Sequence, residues 1–206
     1  MRNATRLIGL AALVAASVSC GDVVRQGSSP VFLVIDQLSG LRGAVQQGTP
    51  SSTLVSDVIT NVTSPDPCST ATPCPTVFGD TGQALLRAPL KNLGATTSPT
   101  SNNEVTINRV RVEYVRTDGR NTQGIDVPYA FDNAVTGTIG AGGTLTVSFE
   151  LVRNIAKREA PLVQLRSGDN ILSMIAKVTF FGVDRTGNAI QTTGNITIEF
   201  GNFGDF

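Results

Sequence analysis

The sequence predicts an all-β fold, an antiparallel β-sandwich of about seven to eight strands with one short helix. Three observations lead to this prediction. Short runs in which apolar and polar residues alternate recur from Val31 onward. Clusters of Gly, Pro, Asn, Asp, Ser and Thr separate these runs at short spacing, as turns separate antiparallel strands. A single stretch of the 206-residue chain has the composition of a helix.

The alternating runs define the predicted strands in chain order. The cleanest run is 144–152, where apolar residues at odd positions alternate with polar ones, which indicates a strand with one buried face. A weaker run ends near Pro89, and proline predicts a sheet edge or a strand end because it has no amide hydrogen to donate. The predicted strands are 31–38, 53–60, 83–90, 104–117, 125–131, 144–152, 170–181 and 189–200.

The long run 104–117 changes face partway along. Its apolar residues occupy odd positions as far as Ile107 and even positions from Val110 onward. A strand changes face within one run only where an extra residue is inserted. We therefore predict a β-bulge or a break near residues 108–109.

The helix candidate is 152–160, which consists of good helix formers and precedes Pro161. Its length is marginal for a helix. We therefore expect a single short helix or helical turn that crosses between two strands.

The last two runs predict a hairpin, and this hairpin resembles a known family. Residues 177–188 (KVTFFGVDRTGN), followed by a polar-alternating strand, are similar to the final hairpin of bacterial immunoglobulin-like domains. In that family the penultimate strand often runs into an Asp-x-x-Gly-Asn turn, and Asp184, Gly187 and Asn188 occupy those places. The resemblance implies an immunoglobulin-like β-sandwich that lacks the family's inter-sheet disulfide and buried tryptophan. Loops at 39–52 and 60–82 make it larger than the usual domain.

Residues 1–20 (MRNATRLIGLAALVAASVSC) have the layout of an export signal. Arg2 and Arg6 precede ten mostly apolar residues, and small residues lead up to Cys20. The apolar stretch is too short for a stable membrane-spanning helix, which needs about 20 residues. Residues 17–20 resemble the lipobox of bacterial lipoproteins, with Ser17 where leucine is usual.

The lipobox resemblance implies cleavage before Cys20 and acylation of Cys20. In Gram-negative lipoproteins an Asp directly after that cysteine commonly retains the protein at the inner membrane. Gly21 stands there, so the resemblance implies an outer-membrane protein whose acyl chains anchor it durably. We expect a signal peptide at 1–19, a tether at 20–30 and a β-sandwich domain at 31–206. An ordinary cleaved signal with a chance cysteine is the alternative.

The remaining cysteines, Cys68 and Cys74, are six residues apart in a segment with four prolines. An exported protein can form a disulfide between them, and we expect it to fix a protruding loop. A redox pair is the alternative, although the familiar redox motif has only two residues between its cysteines.

Charge and composition exclude several functions. The 16 basic and 16 acidic residues cancel, and loss of residues 1–19 leaves 14 basic residues and a net charge of −2. Nucleic-acid binders need a basic surface, so no nucleic-acid partner is predicted. The chain has no histidine, which excludes Ser–His and Cys–His catalysis and His-ligated zinc. We predict no enzyme activity, no cofactor and no metal. Calcium at Asp184, Asn188 and Asp169 is the alternative to a local role of these side chains in their turn.

Possible binding residues lie at Arg116, Arg120 and Asn121, in a turn that follows an arginine-rich strand. These side chains could bind an anion or a glycan, and Tyr114 and Tyr129 could stack on sugars. Charge pairing with nearby acidic residues on a solvent-exposed face is the alternative. Sixteen acidic residues also leave open a carboxylate-based carbohydrate hydrolase.

The C-terminal Phe203 and Phe206 could dock a partner or could pack against the domain. Taken with the export signal, these features predict a non-enzymatic, lipid-anchored structural or binding module of the cell envelope. Its partner would be an envelope protein or a glycan, bound by loops at one end of the sandwich or by strand addition at a free edge. The alternatives are the carbohydrate-active enzyme and an accessory subunit docked through its aromatic C-terminus.

Overall fold

The computed structural model describes residues 27–44, 48–92 and 98–204. These residues form an all-β fold with ten strands and three short 3₁₀ segments, at Ser101–Asn103, Ala156–Arg158 and Leu162–Arg166. The strands are β1 (Val34–Leu41), β2 (Thr53–Asp57), β3 (Thr60–Val62), β4 (Cys74–Thr76), β5 (Asp80–Arg87), β6 (Val105–Val115), β7 (Phe131–Ile139), β8 (Thr144–Val152), β9 (Leu172–Asp184) and β10 (Ala189–Gly201). No helix in the described ranges is both long and apolar enough to cross a membrane.

The strands form two main sheets and one small one. A five-stranded sheet has the order β2-β10-β9-β6-β7, and a three-stranded sheet has the order β1-β5-β8. All neighbours pair antiparallel except β2 and β10, which run parallel. The hairpin of β3 and β4 stands apart as a two-stranded sheet.

The core lies between the two main sheets, whose apolar faces meet. The Phe149 ring on β8 meets the Phe180 ring on β9 edge to face, with centroids 5.4 Å apart. The hydroxyl of Tyr114 on β6 donates a 2.6 Å hydrogen bond to the Leu151 carbonyl on β8. Strand alternation supplies the buried residues, because one face of each long strand points into this layer. Each fully buried large apolar side chain contributes about 1.5–3 kcal/mol.

Two sequence predictions are confirmed in the five-stranded sheet. The register of β6 shifts between Ile107 and Arg109 against both of its neighbours, which is the predicted bulge. Strands β9 and β10 form the predicted hairpin, in continuous register from the Ala189–Val183 pair to the Phe200–Leu172 pair.

The prediction of a strand at 125–131 is wrong. Residues 122–127 form tight turns instead, in which the Thr122 carbonyl accepts hydrogen bonds from the Asp126 and Val127 amides. Ile125 is exposed, so its apolar side chain does not mark a buried strand face. The strand begins at Phe131, where the prediction had it end.

Other boundaries also differ from the predictions, and β1 runs from 34 to 41 where 31–38 was predicted. The predicted strand 53–60 is two strands, because β2 ends at Asp57, whose Oδ1 accepts the Ile59 amide. Strand β5 stops at Arg87 and lies in the middle of its sheet, so Pro89 follows a strand end and marks no edge. The helix expected at 152–160 is reduced to Ala156–Arg158, and a second 3₁₀ segment follows Pro161.

Candidate functional site

The β3–β4 hairpin is closed by a disulfide. Cys68 and Cys74 are bonded, with their sulfurs 2.09 Å apart, which confirms the predicted pair. Cys74 begins β4 and pairs with Val62 of β3. The loop carries its own hydrogen bonds, from the Cys68 amide to the Pro65 carbonyl and from the Ser69 amide to the Thr72 carbonyl. The hairpin is therefore a separate two-stranded sheet that the disulfide and its own hydrogen bonds hold together.

An open cleft of about 780 Å³ lies between this hairpin and the chain after β1. Small polar side chains line it, including Thr60, Asn61 and Thr63, and Phe78 supplies an aromatic surface. Clefts of this size are typical of small-molecule and peptide sites.

Next to the cleft lies a buried ionic centre, composed of Lys157, Asp80, Asp57 and Arg42. Lys157 Nζ is 2.8 Å from Asp80 Oδ2, and the two side chains are 1% and 2% exposed. Lys157 Nζ also donates a 2.8 Å hydrogen bond to the main-chain carbonyl of Asp57. Arg42 lies 3.9 Å from Asp57 Oδ2 at the edge of the centre. Buried charges persist only when they are paired and hydrogen-bonded in this way.

The Asp80 carboxylate is held by two further donors. The Ser56 hydroxyl donates to Oδ2 at 2.6 Å, and the Gly43 amide donates to Oδ1 at 2.9 Å. The Gly43 bond requires close approach of two backbone segments, because a Cβ on Gly43 would lie 1.8 Å from the Gly79 carbonyl oxygen. Glycine at that position therefore lets the chain after β1 reach Asp80.

The Asp57 carboxylate binds the end of β2 to the C-terminal segment. Its Oδ1 accepts the amides of Ile59 and Phe203, and its Oδ2 accepts the Thr60 hydroxyl. Burial raises the pKa of Asp57 above its usual value, although these donors and Arg42 act in the opposite direction. Burial also lowers the pKa of Lys157, and the charges of Asp80 and Asp57 oppose that shift only in part.

The 3₁₀ segments Ala156–Arg158 and Leu162–Arg166 place Lys157 in the ionic centre. The Lys157 carbonyl accepts a hydrogen bond from the Arg166 side chain, and the Arg166 carbonyl accepts one from Asn202. The connection from β8 to β9 is thus fixed to the chain end after β10. The sequence pattern does not indicate this centre, because its members come from four distant segments with no spacing in common.

The structure brings Arg116, Arg120 and Asn121 together, but it pairs them internally. Asp118 accepts hydrogen bonds from both guanidinium groups, and Asn121 Oδ1 accepts the Arg116 amide. The side-chain bonds from Arg116 and then Arg120 lower the pKa of Asp118. This exposed cluster therefore has the geometry of charge pairing, which was the alternative to an anion or glycan site.

The arginines of β6 show the same pairing across strands. Arg109 and Arg111 both reach the Asp132 carboxylate on β7, at 3.0 and 2.8 Å. Arg111 also contacts Glu113 at 3.0 Å. Exposed pairs of this kind contribute little to stability.

The aromatic candidates lie in different environments. Tyr114 is buried in the core, so it cannot stack on a sugar, whereas Tyr129 is 60% exposed. Phe203 is partly buried, and its ring lies against Gly201. Cys20 and Phe206 lie outside the described residues, as do the signal peptide and most of the tether.

The Asp184 carboxylate acts within its own turn. Its Oδ1 accepts the amides of Thr186 and Asn188, and its Oδ2 accepts the Asn188 side-chain amide. Burial alone would raise the pKa of Asp184, but these hydrogen bonds outweigh burial and lower it. Within the described residues, no three acidic or cysteine side chains cluster as metal ligands do.

No protein-family model matches this chain, and neither a curated protein nor a solved structure matches it. A function for this chain is therefore inferred from its sequence, its fold and the geometry of its cleft and charged clusters.

Proposed function

We propose that this chain is an exported, lipid-anchored protein of the bacterial cell envelope that acts as a non-enzymatic binding or structural module. The export signal and the lipobox-like end at Cys20 support the anchor, with Gly21 favouring the outer membrane. The Cys68–Cys74 disulfide supports export, because such bonds persist in oxidising compartments. The domain would stand on its tether at the membrane surface.

We propose further that the fold is an immunoglobulin-like β-sandwich. Strands β6, β9 and β10 are neighbours in the five-stranded sheet, as strands C, F and G are in that fold. Strands β1, β5 and β8 would correspond to A, B and E, in the same chain order. On this assignment β7 is the extra strand C′ and the disulfide hairpin is an insertion between the first strands and strand B.

The cleft beside the disulfide hairpin is the proposed binding site, and its construction is the observation that carries the proposal. One wall is braced by the Cys68–Cys74 bond, and the adjacent Gly43 and Thr60 are hydrogen-bonded to the buried ionic centre. A site on such supports is held in one shape before its partner arrives, which lowers the entropic cost of binding. Its mixed lining, in which small polar side chains lie beside Pro65 and Phe78, suits a glycan or a loop of another envelope protein.

Two experiments test this proposal. Metabolic labelling with a radioactive fatty acid should mark the full chain and should fail to mark Cys20→Ala. Equal labelling of both proteins would refute the anchor.

The binding site is tested with Thr63→Arg, which places a long side chain into the cleft, and with Thr138→Arg as a matched control on an exposed position of β7. Glycan arrays and envelope-extract pull-downs should show a ligand that is lost with Thr63→Arg and kept with Thr138→Arg. A ligand retained by both variants would place the binding site elsewhere.

A further inference from the structure

Lys157 and Asp80 hold their amine and carboxyl groups in direct contact inside the core. Lys157 Nζ lies 2.8 Å from Asp80 Oδ2, and both groups are almost completely inaccessible to water. Because Oδ2 is bonded to Cγ, the nitrogen is within about 4 Å of that carbon, close to the about 3–3.5 Å of reacting atoms in a near-attack arrangement. Groups held in this way react with effective concentrations of about 10⁵ M or more.

We propose that Lys157 Nζ and Asp80 Cγ condense after folding to form an intramolecular amide cross-link. The reaction joins an ammonium group and a carboxylate. The nitrogen gives up two protons and bonds to Cγ, one carboxylate oxygen leaves with those protons as water, and the charges cancel. No oxidant, cofactor or activated donor is needed.

The hydrogen bonds at Asp80 fit the different roles of its two oxygens in this reaction, since one oxygen stays in the amide and the other leaves as water. Oδ1 accepts the Gly43 amide, which would stabilise negative charge on this oxygen during attack and would then bind the amide carbonyl. Oδ2 accepts the Ser56 hydroxyl and lies beside the ammonium group, so it is the oxygen placed to collect protons and leave. The Gly43 amide thus stabilises Oδ1, which stays, while the Ser56 hydroxyl and the Lys157 ammonium group supply protons near Oδ2, which leaves.

The surroundings favour the neutral amine that attack requires. Burial lowers the pKa of Lys157, which raises the population of the free amine. The charged groups that act on it are Asp80, Asp57 and Arg42. Burial raises the pKa of Asp57, so this neighbour can hold a proton that an exposed carboxylate would release. Exclusion of water also protects the amide from hydrolysis.

The cross-link would join β5 to the connection between β8 and β9. Such a bond closes a long loop and limits the unfolded chain, as a disulfide does, but it resists reducing agents. The cross-link would lie within the domain and would need neither the partner nor the lipid anchor proposed above.

Peptide mapping of the full-length chain tests the proposal. After reduction and alkylation of the cysteines, trypsin should release residues 43–87, which contain Asp80, joined to 154–158, which contain Lys157 and escape cleavage after it. The joined species should weigh one water less than the two peptides together. Tandem mass spectrometry should place the link at Lys157 and Asp80.

Two variants serve as controls. Lys157→Arg keeps the positive charge without an amine nucleophile, and Asp80→Ala removes the acceptor. Neither should give the joined species. Recovery of separate 43–87 and 154–157 peptides from folded wild-type protein would overturn the proposal, because trypsin cleaves after Lys157 only when its amine is free. Since the wild-type protein decides the question, a variant that fails to fold does not affect the outcome.

Discussion

Lys157 Nζ contacts Asp80 Oδ2 at 2.8 Å between side chains that are 1% and 2% exposed. Three polar groups complete this pair: the Asp57 carbonyl, the Ser56 hydroxyl and the Gly43 amide. Two of the strands concerned, β2 and β5, belong to different sheets. The pair therefore ties the two sheets and the β8–β9 connection together at one end of the core.

Replacement of Lys157 by Met should destabilise the protein strongly. It leaves the Asp80 carboxylate buried without its counter-charge, and breaking a buried pair on one side costs about 3–5 kcal/mol. The direction is the same whether the pair is ionic or joined by an amide. Urea denaturation followed by circular dichroism measures the loss.

Lys177→Met is the matched control, because Lys177 is exposed on β9. It should change the free energy of unfolding by less than about 0.5 kcal/mol. A Lys157→Met protein as stable as this control would show that the buried pair contributes nothing to folding.

Loss of the disulfide should have a local and smaller effect. The Cys68–Cys74 bond closes a short loop, for which the chain-entropy model gives roughly 2 kcal/mol. Since β3 and β4 form a separate two-stranded sheet, the double variant Cys68→Ser/Cys74→Ser should keep the main sheets. Amide hydrogen exchange should rise at 60–76 and stay unchanged in β9 and β10. Faster exchange throughout β9 and β10 would mean that the hairpin supports the core.

Asp184 should make stability depend on acid pH. Its folded-state pKa is lowered, so the unfolded chain binds a proton more readily than the folded one. The stabilisation is then complete above the unfolded pKa of about 4 and is lost as the pH falls through the folded value. Asp184→Asn should remove that dependence and cost about 1–2 kcal/mol at pH 7, because its amide would face the donors of the turn.

Asp169→Asn is the control for this pH dependence, since Asp169 is exposed and follows the 3₁₀ segment Leu162–Arg166. Denaturation curves between pH 7 and low pH compare the three proteins. If Asp184→Asn loses stability with acid as steeply as wild type, another carboxylate is responsible.

The sequence predicted the elements whose side chains alternate regularly. Strand β8 and the β9–β10 hairpin were predicted to within a few residues, because a strand with one buried face has apolar residues at every second position. The bulge after Ile107 was found for the same reason, since a change of face is visible in the pattern. The disulfide was predicted from the spacing of the two cysteines together with the expected export of the chain.

What the sequence could not supply was tertiary pairing. Ile125 is apolar yet exposed in a turn, and its neighbours led to a strand that does not exist. Lys157 and Asp80 are polar yet buried, and their pairing depends on how β5 and the β8–β9 connection meet in space. The arginine turn was found as a cluster, and the alternative of charge pairing with nearby acidic residues is the arrangement that the structure shows, through Asp118.

Tyr114 links the two main sheets through one hydrogen bond, and its removal provides the last prediction. The buried hydroxyl donates to the Leu151 carbonyl at 2.6 Å, so Tyr114→Phe leaves that carbonyl without this donor inside the core. We expect a loss of about 1–2 kcal/mol, measured by thermal and urea unfolding. The matched control is Tyr129→Phe, which removes the same atom from a side chain that is 60% exposed and should change stability by less than about 0.5 kcal/mol. Equal stability of the two variants would mean that the inter-sheet bond adds nothing beyond packing of the ring, which lies 6.2 Å from that of Phe200.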